Sequence, residues 1–230
     1  MLRSLPDSHY YATEACHAYN LDIPNREIYL VGEESEPQEG YEEPGIEYRT
    51  ANRLIRNLRL LTTDDNYKSI LIHLKSCGGS WEEGMAIYDA IKACPTRVVI
   101  VNYTHARSMT SLILQAADWR VMMPNSYFMF HDGTFGTDGH WPAVKSQVRF
   151  TEQVADPTMM NIYIESLQHK GVHKEKTRSQ LKAMLRRKMD RESDVFLTAE
   201  QAVEWGFADE VFKCGDSETN RNAWAKLKQD

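Results

Sequence analysis

The chain has 230 residues, 42% of them hydrophobic and 26% charged, close to the averages of a globular protein, which excludes a disordered or collagen-like polypeptide. That length suits one large domain or two small ones and can bury a core without disulfide or metal staples. Twenty-seven Lys and Arg against 33 Asp and Glu leave a net charge of −6, whereas a phosphate-binding surface needs clustered cations, so nucleic acid is not an expected partner.

No apolar run approaches the roughly 18 residues of a membrane span. Residues 1–30 include Asp7, His9, Glu14 and Asn20 and no apolar core of signal-peptide length, so neither a membrane nor secretion is expected. Four cysteines, Cys16, Cys77, Cys94 and Cys214, form no CxxC pair. Neither a zinc site nor a disulfide framework is expected, and the reducing cytoplasm fits. His169 and His173 lack the glutamate of HExxH and read as surface residues.

In chain order, Glu27–Val31 reads as a strand. Glu33–Glu47 holds seven glutamates with Pro37, Gly40, Pro44 and Gly45 and reads as a solvated loop. Ala51, Leu54, Ile55, Leu58 and Leu61 fall at spacings of three and four, an amphipathic helix over Tyr48–Leu61. Ser69–Leu74 is an apolar strand that runs into Ser76-Cys77-Gly78-Gly79-Ser80, and Trp81–Ala93 is a helix. Arg97–Asn102 reads as a buried strand and Ser108–Ala117 as the helix after it. Trp119–Met122 and Tyr127–His131 are short strands about Pro124-Asn125. Ala143–Gly171 predicts one long helix, and Lys182–Arg191 a solvated basic helix face. Thr198-Ala199-Glu200-Gln201 fits a capping box, Ala208–Val211 a closing strand, and the residues after Cys214 a loosely ordered polar tail. Strands alternating with helices predict an α/β domain over residues 26–213, between a divergent segment 1–25 and the tail 214–230.

Three places could carry chemistry. Gly78-Gly79, between a strand and a helix, can bring backbone N–H groups close to a developing negative charge, although a Gly-Gly pair alone is usually a tight turn. Ser108 opens a helix, with the Met109 amide free to donate, although most serines so placed are N-caps. Ala106-Arg107-Ser108-Met109-Thr110 lacks the glycines of GxSxG. His131 ends an apolar strand before Asp132-Gly133-Thr134-Phe135-Gly136. A serine nucleophile needs such a base and a carboxylate to orient it; Asp190 and Asp194 are both available, and periodicity does not choose between them. No GxxxxGK[ST] loop occurs, so any ATP must be used by a partner.

Five ordered blocks carry a resemblance. They are Ile28–Gly32; Ser76–Ser80 with Gly84-Met85-Ala86-Ile87-Tyr88-Asp89; Ala106–Met109; Met129-Phe130-His131; and Asp190–Gly206, closing with Asp209. This resembles the proteolytic subunit of the Clp protease (ClpP family). The resemblance implies a fold of repeated β-β-α units, shared with the crotonase superfamily, with a protruding handle of helix and strand from about Gly133 to His169. It implies Ser108 as nucleophile, His131 as base, and oxyanion donors at the Gly79 and Met109 amides. The family's orienting aspartate, counted six residues before Phe196, falls on Asp190, with Asp194 the second acid of the motif. Substrate would add as a strand between Gly78-Gly79 and the loop of Gly133, Thr134 and Phe135. Two stacked seven-membered rings, homomeric or shared with a paralogue, would degrade unfolded polypeptides supplied by an AAA+ unfoldase, with no cofactor in this chain.

The chain departs from the family pattern at Cys77, where a proline is usual, and at Arg107 and Thr110-Ser111, where small residues are usual. His131-Asp132-Gly133 replaces His-Gln-Pro, the Glu33–Glu47 segment is an insertion, and Met1–Asn25 does not match the axial-loop segment. Arg107 beside the nucleophile is compatible with altered substrate choice, with help to the oxyanion, or with a catalytically silent ring subunit. A crotonase-type acyl-CoA enzyme would share the fold but has no need of a serine with a histidine base.

Overall fold

The computed structural model describes residues 7–32, 43–63 and 68–229. The first ten residues of the Glu33–Glu47 segment therefore lie outside the described residues, as does the start of the N-terminal segment.

The architecture is a mainly parallel sheet with helices packed on it. Helix α1 (Asp7–Tyr19) and the short β1 (Leu21–Asp22) lead to β2 (Glu27–Val31), which pairs antiparallel with β1 and parallel with β3 (Ile70–Ser76). Between them runs α2 (Tyr48–Leu61). Its residues Ala51, Leu54, Leu58 and Leu61 are buried at the spacing read from sequence. Glu47 caps α2 by accepting from the Arg49 and Thr50 amides at 2.9 and 3.0 Å, which satisfies donors a helix start leaves orphaned.

β3 is buried at all but one of its residues, as a strand covered on both faces of a parallel sheet must be. It feeds α3 (Trp81–Lys92) through the two glycines. β4 (Val98–Arg107) is longer than its apolar run predicts. Its first half pairs with β3 and β5 (Trp119–Met122), while His105, Ala106 and Arg107 pair with β6 (Tyr127–Phe130). The polar residues after Asn102 thus carry the strand on to Ser108.

α4 (Met109–Leu114) follows Ser108 and is buried throughout. α5 (Trp141–Phe150), a π-helical turn (Thr151–Ala155) and α6 (Asp156–His169) form one continuous helical arm. No residue of α5 is buried whereas half of α6 is, so the arm leaves the body at its N-terminal end. The strand expected in the handle is not formed: residues 132–140 take no regular structure. α7 (Arg178–Glu192) buries Leu181, Leu185 and Met189 and leaves its basic face outward. β7 (Val195–Thr198) pairs antiparallel with β6, and the capping box of Thr198 and Gln201 opens α8 (Ala199–Trp205) as read from sequence. β8 (Glu210–Val211) closes the sheet beside β5, where Asp209 accepts from the guanidinium of the buried Arg120 at 3.0 Å.

The tail after Cys214 is a helix rather than a loose segment. α9 (Ser217–Leu227) is capped by Asp216, which accepts from the Thr219 amide at 2.8 Å. Trp224 and Leu227 pack onto Phe212, which follows β8, and onto Leu71, Val99, Val101 and Val121, the apolar residues on the face of β3, β4 and β5 opposite the main core. All four cysteines are free, and no described helix is long and apolar enough to cross a membrane.

Candidate active site

Strand register assembles the site. Arg107 at the end of β4 stands beside Met129 of β6, so Ser108, the next residue after β4, and His131, the next after Phe130 at the end of β6, leave the sheet at the same edge. Across β6 and β7, Phe130 pairs with Val195, and one rung further His131 meets Asp194. His131 Nε2 lies 2.8 Å from Ser108 Oγ, and His131 Nδ1 lies 3.1 Å from Asp194 Oδ1.

The carboxylate that the structure brings to His131 is Asp194, whereas Asp190, expected there, does not reach it. Asp190 sits exposed near the end of α7, about one helical turn short of the β7 rung. It acts on Asp132 and Arg186 through its charge. The signal that separates the two acids is the rung itself: Asp194 directly precedes a strand antiparallel to the one His131 ends.

Ser108 has φ +53° and ψ −128°, a region that L residues occupy only when their surroundings over-determine it. The surroundings do so from both sides. Its N–H donates to the Met129 carbonyl at 3.1 Å. Its carbonyl accepts from the Ser111 amide at 3.0 Å and from Ser111 Oγ at 2.6 Å. Ser111 Oγ lies 2.7 Å from the hydroxyl of Tyr163, a phenol that burial holds well above its ordinary range. The strained strand-to-helix turn of a nucleophile elbow is thus built without the flanking glycines of GxSxG. Ser193, just before Asp194, also has a positive φ, +57°.

Thr110 and Ser111 are fully buried and act as fasteners. Thr110 Oγ1 donates to the Ser76 carbonyl at 2.9 Å and the Arg107 carbonyl at 2.8 Å, and accepts from the Arg107 amide at 3.1 Å. Arg107 turns its Nε onto the Cys77 carbonyl at 3.3 Å, stitching the strand that leads to Ser108 to the turn that lacks proline. Its side chain does not line the cavity beside Ser108.

The two glycines fit a space no side chain could share. A Cβ on Gly78 would stand 2.8 Å from Ser108 Cβ and 2.9 Å from the Arg107 carbonyl oxygen; one on Gly79 would meet the Ile46 backbone at 2.3 Å. Ile46 pairs with this turn as a short parallel bridge: its N–H donates to the Gly78 carbonyl at 2.5 Å, and its carbonyl accepts from Ser80 at 2.9 Å. In strand geometry the N–H and C=O of the residue between those two point to the opposite edge. The Gly79 amide therefore faces away from Ile46. Met109 opens α4, so its N–H has no carbonyl one turn back in the helix.

A cavity of about 660 Å³ adjoins Ser108 and His131. It is floored by Met109 and Leu112, and walled by Met159 and Tyr163 of the helical arm. Gly79, Gly133, Thr134 and Phe135, expected to bind substrate or an oxyanion, also line it, while Gly78 lies behind Ser108. Two further residues bound the site without having been read from sequence. Arg186 of α7 pairs with Asp132, next to His131, at 2.5 Å, and with Asp156 at the start of α6. Among the described residues no cluster of His, Cys, Asp and Glu could hold a metal ion.

A hydroxyl hydrogen-bonded to an imidazole that is itself hydrogen-bonded to a carboxylate can act as an activated nucleophile toward an acyl carbon. The Clp protease family matches residues 42–214. The chain is 31% identical over 168 residues to the ATP-dependent Clp protease proteolytic subunit of Deinococcus radiodurans, covering 72% of this chain and 76% of that one. It is 31% identical over 163 residues to proteolytic subunit 2 of Prochlorococcus marinus strain MIT 9312, covering 70% and 74%, and 30% identical over 170 residues to proteolytic subunit 2 of Thermobifida fusca, covering 72% and 76%. With three quarters of its length matched and a fold and edge-of-sheet site to go with it, this chain belongs to the Clp protease family.

Proposed function

We propose that the protein is a serine endopeptidase in which Ser108 is the nucleophile, His131 the general base and acid, and Asp194 the residue that orients His131. The observation that carries this reading is the line of contacts from Ser108 Oγ to His131 Nε2 at 2.8 Å and from His131 Nδ1 to Asp194 at 3.1 Å. With Nδ1–H donating to Asp194, Nε2 accepts the Ser108 proton as Oγ attacks the scissile carbonyl. The carbonyl oxygen, now negative, takes hydrogen bonds from the Gly79 and Met109 amides. His131 returns the proton to the departing amine, and water, activated by the same imidazole, releases the acyl group from Ser108.

The substrate is an extended polypeptide. The edge of the Gly79 segment facing away from Ile46 offers main-chain groups to one side of such a peptide, and Gly133, Thr134 and Phe135 offer the other. Main-chain pairing of this kind reads backbone rather than sequence, which suits degradation of many unfolded chains. Family membership supports a ring assembly fed by a Clp ATPase, and the lack of a phosphate-binding loop fits ATP use by that partner alone. The reading of a silent ring subunit loses its support from Arg107, because that side chain lies on the Cys77 carbonyl.

Fluorophosphonate labelling with mass spectrometry, run on size-exclusion fractions, tests the reading. A single adduct on Ser108 that disappears in Ser108→Ala is expected. An adduct elsewhere, or equal labelling of both proteins, would exclude Ser108 as nucleophile.

A further inference from the structure

Arg186 is not part of the line Ser108–His131–Asp194, yet it joins the three pieces of chain on which that line depends. One guanidinium nitrogen pairs with Asp132, the residue directly after His131, at 2.5 Å. The other pairs with Asp156, where the helical arm resumes after its π-helical turn. Arg186 itself belongs to α7, the helix that ends at Glu192, two residues before Asp194. Asp132 and Asp156 both line the cavity beside Ser108. The pairs are half-buried, with side-chain exposures of 30% for Arg186, 46% for Asp132 and 31% for Asp156, so they are screened less than surface pairs. The planar guanidinium can meet two carboxylates along fixed directions, which a lysine ammonium cannot.

Resting on the peptidase reading above, we propose that Arg186 is a positioning residue: it clamps the end of β6 and the base of the helical arm to α7. Asp194 contacts the imidazole and Asp132 follows it in the chain, while Asp156 of α6 lines the same cavity. The Asp132 carboxyl is held above its ordinary range, first by burial and then by Asp156 and Asp190, with Arg186 working against that rise.

Removing the guanidinium leaves Asp132 and Asp156 without their shared partner, and the end of β6 and the base of the arm are no longer tied to α7. Three full-length variants separate the ties. Arg186→Gln loses both, Arg186→Lys keeps the charge without the two-way fork, and Asp156→Asn cuts the tie to the arm and keeps the one to Asp132.

The measurement is the rate of fluorophosphonate labelling at Ser108, with kcat and KM on a short peptide and size exclusion to record assembly. In Arg186→Gln kcat should fall at least about tenfold with KM little changed, as expected for misplaced catalytic groups. Arg186→Lys should recover kcat in part. Asp156→Asn should lower kcat less than Arg186→Gln, which keeps the test decisive should Arg186→Gln fail to fold. A kcat that stays at the parent's level in Arg186→Gln, that is no higher in Arg186→Lys, or that Asp156→Asn lowers more than Arg186→Gln does overturns the assignment. Absence of any Ser108 adduct in the parent overturns the peptidase reading, and this assignment with it.

Discussion

Phe130 and Val195 face each other across the antiparallel pair of β6 and β7, and the next rung holds His131 and Asp194 with 3.1 Å between Nδ1 and Oδ1. The carboxylate beside His131 is thus placed by the strand ladder that ends one rung before it. Asp194→Asn should reduce kcat/KM for peptide cleavage by on the order of 10³–10⁴, since an amide favours the wrong imidazole tautomer. Asp190→Asn should stay close to the parent. Steady-state kinetics on both variants decides the matter, and the reverse order of effects would reinstate Asp190.

Gly78 lies where its missing side chain leaves room for Ser108. Gly78→Ala would set a methyl 2.8 Å from Ser108 Cβ, on a backbone at φ +103°. It should destabilise the protein by about 1–3 kcal/mol and remove most fluorophosphonate labelling. Gly133, at φ +81° with nothing within 4 Å of its Cβ position, is the matched control: Gly133→Ala should carry only the backbone cost of a positive φ, about 1–2 kcal/mol, and less than Gly78→Ala. Chemical denaturation of the pair separates crowding from backbone preference.

Ser108 stores backbone strain for the sake of its place in the site. Ser108→Ala and Ser108→Gly lose the same hydroxyl, but only glycine relaxes at φ +53° and ψ −128°. Ser108→Gly should therefore melt higher than Ser108→Ala, by about 1 kcal/mol or roughly 2–4 °C, with both inactive. Equal melting temperatures would mean that the turn carries no strain.

Glu27 supplies a pH dependence far from the site. Burial alone would raise its carboxyl, yet hydrogen bonds and charge from His73 and Lys228 hold it at about 2, against an ordinary 4.5. A depressed folded-state value stabilises the protein above about pH 4.5 and is lost as pH falls toward 2. The contribution is on the order of 3 kcal/mol at neutral pH. Glu27→Gln should melt lower at neutral pH and lose part of the parent's steepening below pH 4.5. Thermal melts across that range check both.

Much of this was legible in the residues, and the exceptions have physical causes. Glu27–Val31 and Tyr48–Leu61 form over the bounds that alternation and three-to-four spacing give, because one face of each meets the core. Ser108, His131 and the two glycines are picked out by their places at element ends, and the structure brings them together. β4 outruns its apolar stretch because His105 and Arg107 are held by pairing with β6, which local sequence does not encode. The choice of Asp194 over Asp190 depends on the same long-range register. The strain at Ser108 escapes notice for want of glycines beside it, and Arg186 looks like one cation among several on a solvated helix until its partners, 54 and 30 residues earlier, are in place. Nothing in the sequence marks the π-helical turn. α9 is polar enough to resemble a tail, with Trp224 and Leu227 its main apolar anchors.

That last helix lies beyond residue 214, where the match to the family ends, yet it shields side chains that belong to the matched part: Leu71, Val99, Val101, Val121 and Phe212. The limits of the inherited catalytic segment and the limits of the folding unit are therefore different. A protein shortened to the former would turn an apolar sheet face toward water, the kind of surface through which chains stick to one another. Solubility, more than chemistry, is what the final residues of this peptidase domain protect.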